Sequence, residues 1–262
     1  MTPEPDDAGA AAGAPATARD LAIPVRYADE RLAVVDKPAR LMAHDSGLAR
    51  GEQDFLADRL RAQFGRPVHL VHRLDRATSG CLLVAFDGDT ARALGEQFMT
   101  RAVEKAYLAV CRGWPEPGEG LIDHPLDGGP GKPEKKPAQT AYRVRATGAM
   151  PWPYREHAES RFALVECTPH TGRFRQIRRH LKHIHHHLIG DTSHGDGARN
   201  RLFRAHLGVH RMLLHAWRLR FAHPVDGRVM VAEAPLDPAF TRALAAFGWP
   251  LPAGSISSEA LR

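Results

Sequence analysis

Residues 71–80 of this chain read Val-His-Arg-Leu-Asp-Arg-Ala-Thr-Ser-Gly. The stretch places one carboxylate, Asp75, between Arg73 and Arg76 and follows it with Thr, Ser and Gly, which favour a tight, hydrogen-bonded turn. The apolar run 81–86 comes next and predicts a buried strand. A loop carboxylate supported by a rigid strand is typical of a reactive group, although an Asp that caps a turn and pairs with a nearby Arg gives the same local pattern.

Length and composition indicate a soluble globular protein. The chain has 262 residues, enough for one large or two small domains, with 43% hydrophobic and 25% charged residues. No apolar run approaches the roughly 20 residues that span a bilayer, and the N-terminus lacks the features of a secretory signal. We therefore expect a cytoplasmic protein with no membrane partner. Reduced thiols on strands are expected at Cys81, Cys111 and Cys167.

Basic charge is concentrated in the segment 171–220. Eleven basic and two acidic residues give this segment a net charge of +9, whereas the whole chain carries +6. Such a concentration predicts a polyanionic partner, because phosphate contacts release counterions. A basic surface that only maintains solubility is the alternative, but it would more often use Lys, and the predominance of Arg favours bidentate phosphate recognition.

Three regions of the chain outside these stretches carry specific expectations. Residues 1–20 and 251–262 lack periodicity and predict loose tails on either side of one domain, 21–250. Residues 112–140 hold six prolines and six glycines and predict a long loop. The lysines of this loop either bind a nucleic acid or simply lie on the surface of an insertion.

Hydrophobic periodicity gives the coarse order of elements. Asp89 is a candidate N-cap for a helix over 90–99, and Asp237 with Pro238 begins a last helix. A further helix is expected over 54–64. Strands are expected over 21–27, 32–36, 81–86, 105–110, 140–145, 161–167, 212–219 and 229–232.

A second specific stretch, residues 171–181, reads Thr-Gly-Arg-Phe-Arg-Gln-Ile-Arg-Arg-His-Leu. Its apolar residues and Ile184 have a helical spacing, which predicts one inward face and arginines on the other faces. Arg178 follows Ile177 at the boundary of that inward face. A guanidinium at this position can reach a buried carboxylate.

The first stretch resembles the catalytic signature of the RluA family of pseudouridine synthases, His-Arg-Leu-Asp-x-x-Thr-Ser-Gly, at every position of 72–80. The sequence Asp-Lys-Pro at 36–38, followed by a loop with His44, resembles the first motif of the family. Tyr107 resembles the tyrosine of its second element. Residues 171–178 resemble its third motif, with Arg175 where the family has His.

The resemblance implies an α+β pseudouridine synthase fold, with a central, mostly antiparallel mixed sheet flanked by helices and loops. It implies isomerisation of uridine to pseudouridine, a rearrangement that requires no cofactor and no metal. Asp75 would carry the chemistry, Arg178 would orient that carboxylate, and Tyr107 would hold the base. Arg73 would enter the RNA where the base is flipped out. The expected RNA contacts are Arg73, Arg76, Arg173, Arg175, Arg179, Lys182 and Arg201.

The C-terminal half, including Ile-Gly-Asp-x-x-His-Gly-Asp at 189–196, resembles a branch of the family that acts on tRNA at uridine-65. The catalytic domain is expected to begin directly after the first tail, which would leave no room for the small N-terminal RNA-binding domain of many ribosomal-RNA relatives. We therefore expect tRNA as the partner. We also expect the protein to be a monomer. A pseudouridine synthase acting on ribosomal RNA and a non-catalytic RNA-binding protein remain alternatives.

Six histidines lie between residues 180 and 194, and His183 and His187 are one helical turn apart, a spacing that zinc sites use. A metal-dependent phosphodiesterase is therefore a further alternative. The segment lacks His-Glu-x-x-His and nearby Cys, and its arginines would repel a dication. We expect no metal here.

Overall fold

A computed structural model describes residues 22–44 and 54–250 of the chain. Both predicted tails, 1–20 and 251–262, lie outside the described residues. Within those ranges the chain forms twelve strands and five helices. The helices are α1 (Leu56–Phe64), α2 (Gly88–Met99), α3 (Gln176–His183), α4 (Gly197–Leu207) and α5 (Pro238–Ala246). The strands are β1 (Val25–Ala28), β2 (Leu32–Lys37), β3 (His69–Leu70), β4 (Ser79–Ala85), β5 (Glu104–Arg112), β6 (Glu119–Asp123), β7 (Leu126–Asp127), β8 (Lys135–Lys136), β9 (Gln139–Met150), β10 (Ser160–Pro169), β11 (Leu214–Ala222) and β12 (Val229–Glu233).

One ten-stranded sheet organises the fold. Its main path runs β1-β2-β4-β11-β5-β10-β9-β6, with β12 paired to β11 and β3 paired to β4. Neighbouring strands are antiparallel, except that β4 and β11 run parallel with Ser79 opposite His215. The predicted α+β fold with a mostly antiparallel mixed sheet is confirmed.

The central strands are covered on both faces. Alternate residues of β4 belong to two separate hydrophobic clusters, with Leu82 and Val84 in one and Cys81 and Leu83 in the other. Strand β5 alternates in the same way between two further clusters. Neither face of such a strand contacts solvent, so polar residues do not alternate with apolar ones, and residues 81–86 form an unbroken apolar run. The predicted buried strand is confirmed, and the three cysteines are buried and free.

Several local predictions need correction. The N-cap of α2 is Asp87, not Asp89, because the Asp87 carboxylate accepts the N–H of Thr90 at 2.8 Å. Residues 112–140 are not one long loop, since they contain β6, the small β7–β8 hairpin and the start of β9. Helix α4 was not predicted, although Asp196 caps its first turn and Gly208 ends it in a left-handed conformation. The start of α5 at Pro238, with Asp237 as its N-cap, is confirmed.

No helix among the described residues is long and apolar enough to cross a membrane.

Candidate active site

Asp75 lies in a turn between β3 and β4, where the N–H of Thr78 donates to the Asp75 carbonyl at 3.0 Å. The turn is tied to the loop that follows β2. The N–H of Arg40 donates to the Arg76 carbonyl at 2.7 Å, and Nε of Arg76 donates to the Arg40 carbonyl at 3.0 Å. Two loops far apart in sequence therefore fix the Asp75 backbone together.

Lys37 supports the same turn from the protein interior. Its side chain is fully buried, and Nζ donates to the carbonyls of Pro38 at 2.8 Å, Leu41 at 2.7 Å and Arg76 at 3.3 Å. Burial lowers the pKa of Lys37 to about 7, while the three carbonyl oxygens favour its protonated form. Lys37 thus supports the turn from within the protein, with no exposed surface of its own.

Arg178 of α3 reaches Asp75 across 103 positions of sequence, with Nη1 donating to Asp75 Oδ2 at 2.9 Å. The Arg178 side chain is 6% exposed and the Asp75 side chain 27%, so the pair sits at the edge of the solvent. Among the described residues, nothing hydrogen-bonds the other carboxylate oxygen of Asp75. The arrangement holds the carboxylate by one oxygen and leaves the second available.

Tyr107 of β5 lies beside this pair. It is opposite Ala216 of β11 in the sheet, next to the parallel contact of β11 with β4 from which the Asp75 turn extends. Burial raises the pKa of the Tyr107 hydroxyl, and the negative charge of nearby Asp75 raises it further. The hydroxyl therefore stays neutral, and the ring presents a partly buried aromatic surface beside the carboxylate.

Sequence reasoning assigned no role to Asp191, which holds Arg178 from the other side. Arg178 donates to both Asp191 oxygens, from Nε at 2.7 Å and from Nη2 at 2.8 Å. The Asp191 side chain is fully buried. Burial alone would raise the pKa of Asp191, but the hydrogen bonds and charge of Arg178 outweigh it and hold that pKa below its ordinary value. The string 189–196 contained Asp191, but no pattern in it revealed the partner.

His72, the first residue of the signature, has a structural position. Its Nε2 accepts the N–H of Leu83 at 2.9 Å, and its ring stacks on Phe98 with centroids 4.6 Å apart. Burial lowers the pKa of His72 to about 3, so the ring is neutral and remains an acceptor.

The predicted RNA-contacting residues divide by their surroundings. Arg73, Lys182 and Arg201 are exposed. Arg173 donates from Nε to the Pro137 carbonyl at 3.1 Å, and Arg175 stacks on the Phe174 ring at 4.7 Å. Arg76 is exposed but bonds Arg40, as described above.

Arg179 forms its hydrogen bonds with other residues of the protein. Its Nη2 donates to the Asp127 carboxylate at 2.6 Å, and its Nη1 donates to the Asp127 carbonyl at 3.0 Å. Asp127 belongs to the β7–β8 hairpin, so this pair fastens the hairpin to α3. Arg179 therefore has few donors left for a phosphate.

The histidines of the 180–194 segment make separate contacts. His180 bonds the Thr140 hydroxyl at 2.9 Å and the His124 carbonyl at 3.0 Å, and the His124 and His183 rings stack with centroids 3.8 Å apart. His186 bonds the Arg112 carbonyl at 2.9 Å. Within 22–44 and 54–250, no group of three or more His, Cys, Asp or Glu is placed to hold a metal ion.

The carboxylate held by a buried arginine beside a tyrosine ring forms a candidate active site, and the basic segment next to it suits a polyanionic partner. Sequence and structure comparisons give the family. The sequence model of RNA pseudouridylate synthases matches residues 31–183. The chain belongs to this family, and the resemblance seen in its motifs is confirmed.

Relatives and solved structures agree with this placement. The tRNA pseudouridine synthase C of Vibrio cholerae is 40% identical over 232 residues, covering 85% of this chain and 95% of that protein. The tRNA pseudouridine synthase C of Pasteurella multocida is 40% identical over 240 residues, covering 88% and 98%. The structure of human RNA pseudouridylate synthase domain containing 4 has a TM-score of 0.66 at 25% identity, covering 87% of this chain and 94% of that one.

Proposed function

We propose that this protein isomerises uridine to pseudouridine in tRNA, at uridine-65. The contact that supports the chemistry most directly is the 2.9 Å hydrogen bond from Arg178 Nη1 to Asp75 Oδ2, which joins the catalytic signature to the third motif. Support for tRNA comes from the relatives named tRNA pseudouridine synthase C, each about 40% identical over most of this chain. An enzyme acting on ribosomal RNA is the alternative.

The reaction breaks the bond between ribose C1′ and uracil N1, turns the uracil, and joins C1′ to C5. The C5 proton leaves, and N1 takes up a proton, so the composition is unchanged. In our proposal Asp75 acts with its free oxygen, either on C1′ directly or on the proton of the neighbouring ribose carbon. Arg178 keeps the carboxylate ionised and oriented while the departing uracil carries negative charge.

Tyr107 holds the loosened base in this proposal. A neutral aromatic ring stacks on a base regardless of which way the uracil is turned, so it can retain the ring through the rotation. Arg73, exposed two residues before Asp75, would fill the space that the flipped nucleotide leaves. Uridine-65 would lie in a paired stem, so flipping it costs a few kcal/mol of unstacking and unpairing.

A basic surface around the site would offset the cost of flipping the nucleotide by binding the RNA backbone on either side of it. We propose that Arg73, Arg76, Arg173, Arg175, Lys182 and Arg201 belong to it, and that Arg179 acts indirectly by fastening the β7–β8 hairpin to α3. The hairpin carries the exposed lysines Lys132, Lys135 and Lys136 on the same side of the molecule as the start of α3. RNA helices are recognised mainly through shape and backbone, which suits such a surface.

The test compares a tRNA transcript tritiated at uridine C5 with its uridine-65→cytidine variant and with tritiated ribosomal-RNA fragments. We expect tritium release from the first tRNA to exceed that from the variant by the equivalent of one uridine, and none from ribosomal RNA. Equal release from the two tRNAs, or a preference for ribosomal RNA, would refute the proposed substrate. The Asp75→Asn protein is the inactive control.

A further inference from the structure

The geometry of Arg178 raises the question of why its guanidinium meets Asp75 with only one nitrogen. A guanidinium carries donors in a rigid planar fork, and its preferred contact with a carboxylate uses two parallel hydrogen bonds. Here that bidentate contact goes to Asp191, through Nε at 2.7 Å and Nη2 at 2.8 Å. Three N–H groups remain, two on Nη1 and one on Nη2, and of these Asp75 accepts a single bond from Nη1. Because the fork is planar and rigid, fixing one edge fixes the direction of Nη1.

Asp191 is itself held in place. Its Oδ1 accepts the backbone N–H of Ser193 at 2.8 Å and that of His194 at 2.9 Å, in addition to the bond from Arg178. Its side chain is fully buried, so water does not compete for these bonds. The carboxylate has little freedom to follow Arg178 if the arginine turns.

Helix α4 anchors the turn that carries Asp191. The side chain of Asn200 donates to the Asp191 carbonyl at 2.9 Å, and its oxygen accepts the N–H of Gly190 at 2.7 Å. Gly190 has a φ of +79°, and a Cβ there would lie 1.9 Å from the Arg211 carbonyl oxygen. The turn is therefore locked between α4 and the segment before β11.

We propose that Asp191 is a positioning residue of this enzyme: it occupies the inner edge of the Arg178 guanidinium, so that Asp75 is held by one oxygen and keeps the other free to react. Asn200 acts one step further out by fixing the Asp191 turn. This proposal rests on the proposed role of Asp75 as the reacting group. Without Asp191, Arg178 can turn its fork onto Asp75 and engage both carboxylate oxygens.

The first variant is Asp191→Asn, whose amide has a single oxygen and cannot accept both Arg178 bonds. We expect the single-turnover rate of tritium release to fall about 100-fold, the scale of a small misplacement at a reacting group. The Kd for RNA, measured by filter binding, should change less than twofold. Asp196→Asn is the matched control, because Asp196 lies in the same segment and pairs with Arg112 at 2.8 Å but does not contact Arg178. It should keep the wild-type rate.

A double-mutant cycle separates positioning from general damage. The variants are Asp191→Asn, Arg178→Lys and the double variant. Each is assayed at a temperature well below the midpoint of its thermal unfolding. If Asp191 acts through Arg178, the double variant should be no slower than the slower single variant. Asn200→Ala, which keeps every charge, should give a smaller fall in rate with unchanged Kd. If Asp191→Asn does not fold, Asn200→Ala takes its place as the test of the inference.

The substrate for these assays is total tRNA and ribosomal RNA, both tritiated at uridine C5. Rates can then be compared whichever RNA is modified, and a failure on tRNA alone counts against the proposed substrate and not against this inference. An Asp191→Asn or Asn200→Ala rate within twofold of wild type overturns the inference. So does a double variant whose loss is the product of the two single losses, or a loss that lies mainly in Kd.

Discussion

Substitution of Gly80 by alanine tests the packing that places Asp75. Gly80 lies in β4 with a φ of +110°, and a Cβ built there would be 2.2 Å from the carbonyl oxygen of Ala216 on β11. An L residue at this φ carries about 1–3 kcal/mol of backbone strain. Forcing β4 and β11 apart adds about 1–3 kcal/mol for overpacking. Gly80→Ala should therefore reduce the free energy of unfolding by about 2–6 kcal/mol, a large share of the ~5–15 kcal/mol of a typical domain.

Urea unfolding followed by circular dichroism measures this loss. Gly95→Ala is the matched control, because Gly95 lies inside α2 and a Cβ there meets nothing within 4 Å. That variant should be more stable than wild type by up to about 1 kcal/mol, since alanine is the better helix former. If Gly80→Ala unfolds within 0.5 kcal/mol of wild type, the close approach of β4 to β11 does not constrain this position and the reasoning fails.

Three further predictions concern the site and the surface. Asp75→Asn should lower tritium release at least ~10³-fold with RNA binding retained, and turnover within tenfold of wild type would remove Asp75 from its role. Arg178→Met should reduce rate more than affinity, whereas Arg201→Ala should lower the salt slope of log K by about 0.7–0.9, measured by binding at several salt concentrations. Burial raises the pKa of Asp29, but hydrogen bonds led by that from Tyr27 outweigh it and hold the pKa at about 2. The stability this adds, about 2 kcal/mol, is full above pH ~4 and is lost as the pH falls through 2, so Asp29→Asn and wild type should converge in acid.

The sequence predicted those parts of the site that depend on local pattern. The apolar run after the signature indicated a buried strand, and the helical spacing of residues 174–184 placed Arg178 at the boundary of a buried face. From that boundary a guanidinium can reach either inward or outward. The identification of Asp75 as its partner came from the motifs, and the 2.9 Å contact agrees with it.

The parts that were missed depend on tertiary context or on weak patterns. Strand β6 is an edge strand of the sheet and all but one of its residues are exposed, so the glycine and charged residues there resemble a loop. Helix α4 buries few side chains, notably Asn200 and Phe203, so its hydrophobic periodicity is faint. Its caps, Asp196 and Gly208, were signals that could have located it. Asp191 could not have been paired with Arg178 from sequence, because the bond depends on how α4 positions its turn.

The glycine of the signature shows how a correct motif can have a different physical basis from the one its pattern suggests. Thr, Ser and Gly after Asp75 favour a turn, yet Ser79 and Gly80 are already in β4, where Gly80 is opposite Lys37 of β2 and Ala216 of β11. Glycine is required there because β11 passes too close for any side chain. The close approach places β11 directly beside β4, the strand that follows the Asp75 turn. On its other side β11 pairs with β5, where Tyr107 lies opposite Ala216. The same glycine that makes the string recognisable therefore lets the strand that leads from the Asp75 turn pack close to β11, which in turn pairs with Tyr107 of β5.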